Sequence, residues 1–147
     1  MIGSEFRLTG RQAEWVVLDY LLAMRHHEEM RDGATGSFHC VIQAEGNAAS
    51  SRDELASRLQ ALHAQHYPGE PAAVSWRLIP EGYMFTEGRQ STSSVIACAL
   101  QHSPTLSERE AYMRGVCDVW TDVTGCTDHE IVVAVTPAAP PATAPTT

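Results

Sequence analysis

Alternating and helical spacings of apolar residues divide much of the chain into two successive series of strand, helix and strand. Phe38, Cys40 and Ile42 alternate with His39, Val41 and Gln43, the two-residue period of a strand. Ser51 followed by Glu54 has the spacing of a capping box, and Leu55, Leu59, Leu62 and His66 then recur along one helical face until "YPGEP" ends the pattern. "AVSWRLI" alternates again, with Val74, Trp76 and Leu78 opposed to Ser75, Arg77 and Ile79. A polar excursion follows, with room for a short hairpin around residues 83–85. The order then restarts. "SVIACALQ" is a strand apolar on both faces. Thr105 and Glu108 form the next capping box, Tyr112, Val116, Val119 and Val123 the inward stripe, and Gly125 the C-terminal stop before the strand "HEIVVAV".

The second series repeats the first about 57 residues later, Phe38 recurring as Val95, Ser51 as Ser107 and Val74 as Ile131. A helix between two strands fits a parallel, right-handed crossover. The predicted fold is therefore α+β: tandem β-α-β units forming a four-stranded sheet with two helices on one face. An additional N-terminal helix is predicted over residues 9–31, opened by Thr9 and Gln12 and apolar around most of its circumference. Two helices cover one face of the sheet, yet "VIACAL" and "IVVAV" are apolar on both. The second face needs burial from outside the two units, and other copies of the chain are the expected source.

Composition narrows the function classes. Ten Lys and Arg against eighteen Asp and Glu give a net charge of −8 over 147 residues, which argues against nucleic acid or an anionic membrane as partner. No apolar run approaches the ~20 residues that span a bilayer, and no secretory signal is recognisable. Cys40, Cys98, Cys117 and Cys126 have no metal-type spacing and read as free thiols of a cytoplasmic protein. Residues 1–6 read as a start codon with a cloning scar, 7–35 as a helical extension, 36–137 as the folded domain and 138–147 as a disordered Ala/Pro/Thr tail.

The strand, capped helix, "TG" and strand of residues 99–137, with "SSRDELASRLQALHAQHYPGEPAAVSWRLIPEGYMF" before them, resemble the tautomerase superfamily, in particular its cis-chloroacrylic acid dehalogenase and macrophage migration inhibitory factor-like branches. The resemblance implies a homotrimer with its sheets turned inward. It also implies cofactor-independent acid–base chemistry, performed at the start of the first strand by the secondary amine of an N-terminal proline. All eight prolines of this chain lie at position 68 or later, so that amine is missing and other groups would have to serve. His66 matches a histidine used in the dehalogenase branch, and His39 falls where the proline would align. Gln101 and His102 occupy the end of the third strand, where that branch holds a substrate carboxylate with arginines.

The candidate catalytic residues are thus His66 and His39, since an imidazole titrates near neutrality and can move protons. Arg77, Gln101 and His102 are the candidate substrate-binding residues; an arginine can grip a carboxylate with its two-pronged fork. "RHHEEMRDG", residues 25–33, reads as a solvated helix end, with neither a metal nor a cofactor implied. The reading is a divergent isomerase, hydratase or lyase acting on a small oxo-acid or enolisable compound. The alternatives are a non-catalytic member that binds a small molecule or a protein, and a docking piece of a larger assembly.

Overall fold

The computed structural model describes residues 33–138 of the chain. The helix predicted over 9–31, the histidine pair of residues 26 and 27, and most of the tail lie outside the described residues. Element order is β1 (Gly36–Gln43), a single turn α1 (Asn47–Ser50), α2 (Arg52–His66), β2 (Ala72–Ile79), β3 (Phe85–Thr86), β4 (Arg89–Gln90), β5 (Ser94–Leu100), α3 (Leu106–Thr124), a 3-10 turn (Asp128–Glu130) and β6 (Ile131–Thr136).

The four long strands form one sheet in the order β2-β1-β5-β6. β1 and β2 run parallel, as do β5 and β6, and the two pairs meet antiparallel at β1 and β5. The register sets Phe38 opposite Val74 and Cys98, and Ile96 opposite Cys40 and Val133, so all of these face one side. Both long helices pack on that side. Phe38, Cys40, Ile42, Leu55, Leu59, Ile96, Cys98, Val116 and Trp120 are wholly removed from water there. Each fully buried aliphatic or aromatic side chain contributes about 1.5–3 kcal/mol, which makes this layer the main source of stability.

Four local expectations change. Val95 lies opposite Val41, on the face turned from the helices, so it is not the counterpart of Phe38. A one-residue slip along a strand reverses the face, and it is Ile96, opposite Cys40, that shares the helix-facing side with Phe38. Ser51 makes no side-chain cap; a turn of helix, α1, precedes it, and its carbonyl accepts from the Leu55 amide at 2.9 Å. The buried row of α2 is Leu55, Leu59 and His63, with Leu62 and His66 to its side, and α3 adds Trp120 to its predicted stripe while Val123 is only partly buried. A short hairpin does form, but from β3 and β4 over residues 85–90 rather than around 83–85, turning through Glu87 at φ +56° and Gly88 at φ +80°.

On the opposite face Ser37, His39, Ala97 and Ala99 are buried, whereas Val132 on β6 is 52% exposed. Among the described residues no helix is long and apolar enough to cross a membrane. Cys40, Cys98, Cys117 and Cys126 are all free thiols, and burial pushes Cys40 and Cys98 well above the usual thiol range, which leaves them protonated and unreactive.

Candidate functional site

The residues with chemistry converge where β1 begins. Thr35 is fixed there by its backbone: its amide donates to Pro71 O at 3.0 Å and its carbonyl accepts from the Gln101 amide at 2.9 Å. The start of β2 and the end of β5 thus clamp it from both sides. Next to it, Gly36 faces α2, and a Cβ at that position would lie 2.5 Å from Cε1 and 2.8 Å from Nδ1 of His63. The glycine is what lets an imidazole approach the first residue of the strand this closely.

His63 is fully buried and satisfied at both nitrogens, by the Tyr112 hydroxyl at 2.9 Å from Nδ1 and by Thr35 Oγ1 at 2.9 Å from Nε2. Burial holds its pKa below the ordinary histidine value, so the ring is neutral near pH 7. Thr35 Oγ1 in turn donates to Glu70 Oε1 at 2.6 Å, and the same oxygen lies 2.7 Å from His102 Nε2. The Thr35 and His102 hydrogen bonds keep the Glu70 carboxyl below its usual range, so it is ionised. The His102 ring stacks on Tyr67, centroids 4.0 Å apart and planes 4° from parallel. Tyr67 caps α2, and the Glu70 amide donates to its carbonyl at 2.9 Å, so one tight turn sets both the stacking ring and the carboxylate.

The residues nominated from sequence divide into two groups. His102, Gln101 and His66 lie at this end of the sheet. His102 belongs to the network, Gln101 contributes its backbone to Thr35, and His66 sets its ring against Tyr112 with centroids 5.1 Å apart. His39 and Arg77 do not join them. His39 points to the other face of the sheet, where its Nδ1 is 2.7 Å from Ser75 Oγ. Arg77 is exposed on that same face, opposite Val41 and five residues along β2 from the partner of Gly36. Strand alternation separates His39 from the cluster, and strand length separates Arg77.

Sequence reasoning passed over His63, Thr35, Glu70 and the hydroxyl of Tyr112. One signal was present for His63. It continues Leu55 and Leu59 at a spacing of four, and a histidine ending a leucine row has to find partners inside the fold.

A second concavity, of about 500 Å3, lies at the far end of β1 and includes Gln43, Asn47, Glu81, Ser91, Thr92 and Glu130 in its lining. It is open, it contains none of the nominated residues, and its Glu130 already accepts from Thr92 and Thr127. Size favours this depression and chemistry the network; the network is the candidate site, because it alone presents an oriented imidazole beside a carboxylate.

No protein-family model matches the chain and no curated protein sequence matches it significantly. Solved structures do. The chain is similar to native Ps01740 at 25% identity and a TM-score of 0.64, over 74% of this chain and 97% of that one. It is also similar to N1, a member of the cis-3-chloroacrylic acid dehalogenase family, at 18% identity and a TM-score of 0.59, covering 69% and 73% of the two chains. A fused 4-OT that forms a symmetric trimer matches at 12% identity and a TM-score of 0.61, over 69% and 84%.

Proposed function

We propose that this chain, which has the fold of the tautomerase superfamily, is a cofactor-independent acid–base enzyme whose base is His102. The observation that carries the reading is the His102–Glu70 pair at 2.7 Å, set at the opening of β1. That is where the sequence resemblance places the family's proline amine; the prolines at this end of the sheet, such as Pro71 and Pro104, are internal residues whose nitrogens are peptide-bonded and cannot serve as that amine. The Glu70 carboxylate engages Nε2 and leaves Nδ1 of a partly exposed ring to exchange protons. A carboxylate behind an imidazole orients it and stabilises the imidazolium that forms when it takes a proton.

The substrate class is a small enolisable carbonyl compound. In the ketonisation of an enol, His102 Nδ1 accepts the hydroxyl proton while the oxygen becomes a carbonyl and the carbon–carbon double bond shifts. The imidazolium then returns that proton to the adjacent carbon. One proton moves from oxygen to carbon, no group is lost, and neither an oxidant nor a reductant is needed. Arg77, at the other end of the sheet, has no part in this step.

Ketonisation of phenylenolpyruvate, followed by the loss of enol absorbance, tests the reading. A general base contributes about 10²–10⁴-fold, so His102→Gln is expected to lower kcat by at least about a hundredfold. His39→Ala is expected to retain activity. Equal rates for wild type and His102→Gln would remove the basis for assigning His102 as the base.

The same resemblance supports a homotrimer. The fused 4-OT neighbour is a trimer, and the exposed Val132 on β6 of this chain is an apolar residue suited to an interface.

A further inference from the structure

The network at the site has a direction that distances alone do not give but proton counting does. Glu70 is ionised and can only accept, and Thr35 gives it the one proton its hydroxyl has. Thr35 Oγ1 must therefore accept from His63, which places the His63 proton on Nε2. A neutral imidazole protonated at Nε2 has a lone pair on Nδ1, so the Tyr112 hydroxyl donates to it. Burial pushes the Tyr112 phenol far up, which keeps that proton in place. Every donor from α3 inward points the same way, and the sequence ends on Glu70 Oε1.

We propose that Tyr112, His63 and Thr35 are positioning residues, forming a one-way hydrogen-bond relay that locks Glu70 in place and thereby holds His102 in the tautomer whose Nδ1 is bare. The role rests on the assignment of His102 as the base, although the relay itself does not. His63 and Tyr112 are buried, and Thr35 commits its hydroxyl proton to Glu70. They act through Glu70: with Thr35 on one lone pair of Oε1, the remaining one is aimed at His102, whose Nε2 then carries the proton. The Tyr67 stack fixes the plane of the ring and the relay fixes which nitrogen is free. Within a buried chain each hydrogen bond polarises the next, so a break at Tyr112 is felt at Thr35. The titratable groups facing His63 are Tyr112 from α3, His66 and Tyr67 from the end of its own helix, Glu70 from the turn that follows, and His102 from the end of β5.

Nitrogen-15 NMR of the imidazoles in the full chain tests this without reference to activity, with His63→Gln and His102→Gln assigning the signals. In wild type His63 is expected as a single tautomer protonated at Nε2, and neutral His102 is expected protonated at Nε2 as well. Tyr112→Phe, which keeps the ring and its packing, is expected to release His63 into a mixture of tautomers. Thr35→Val is expected to raise the Glu70 carboxyl midpoint toward the ordinary carboxylate range, and Thr35→Ser to restore it. In turnover Thr35→Val is expected to lower kcat about tenfold at unchanged KM, the loss of one hydrogen bond to a charged group.

A wild-type His63 protonated at Nδ1, or a Glu70 midpoint that ignores Thr35→Val, overturns the relay. The expected tautomers in a protein without turnover support the relay and count against the catalytic reading alone.

Discussion

At Gly36 the backbone of β1 passes so close to His63 that only a residue without a Cβ fits. The neighbour it would strike is an imidazole held at both nitrogens, which cannot move without surrendering the Tyr112 or the Thr35 hydrogen bond. Gly115 on α3 offers a comparison. A Cβ there would meet Leu62 Cδ1 at 2.8 Å, the far end of a flexible side chain that can rotate away. Alanine in a helix also gains about 1 kcal/mol over glycine, which offsets that adjustment. Overpacking a rigid site costs about 1–3 kcal/mol, and a buried polar group left unpaired about 1–3 more. Urea denaturation is therefore expected to show Gly36→Ala losing at least about 2 kcal/mol, with Gly115→Ala within about 1 kcal/mol of wild type. Equal losses at the two positions would show that His63 yields as easily as a leucine methyl.

At the level of elements, the two long helices begin differently although both carry the same sequence signal. Thr105 accepts from the Glu108 amide at 3.1 Å while the Glu108 carboxylate accepts from the Thr105 amide at 2.9 Å, and Gly125 closes the helix in the left-handed conformation at φ +77°. Ser51 and Glu54 have the same spacing, but Ser51 follows a completed turn, α1, and its side chain caps nothing. Replacing an N-cap threonine with alanine costs about 1 kcal/mol. Chemical denaturation is expected to show that loss for Thr105→Ala and only a few tenths of a kcal/mol for Ser51→Ala; equal losses would mean that Ser51 does cap α2. This contrast also marks how far the sequence was legible. Strand alternation and helical spacing are local, so all four long strands and both long helices could be read from residues 38–136, as could the two parallel pairs. The row on α2 could not be chosen. Positions 59, 62 and 66 fit a 3.6-residue period as well as 55, 59 and 63 do, and only contact with Gly36 and Tyr112 selects the second. The site is less legible still, because Thr35 and Glu70 lie in turns without periodicity. Its hydrogen bonds join residues 28, 35, 32 and 49 positions apart in the chain.

For the molecule as a whole, the question is what happens to the sheet face turned from the helices. Its middle, at Ser37, His39, Ala97 and Ala99, is already buried, so the apolar surface still open on it lies toward β6. β6 is also an edge strand, with one side of its backbone unpaired within the sheet. Exposed edges invite pairing with another chain, and here the edge adjoins an exposed Val132 and an exposed Ala134 on the outward face. These features make β6 the natural seam of the proposed trimer. A carboxylate placed there would have to be desolvated on assembly without a partner, which costs several kcal/mol per ion. Sedimentation velocity is expected to find wild type at three times the 16.0 kDa chain mass, and Val132→Asp shifted toward the single chain with its circular dichroism unchanged. A wild-type protein sedimenting as one chain at micromolar concentration would remove the trimer. It would leave the His102–Glu70 pair intact, since every residue of that network comes from a single copy.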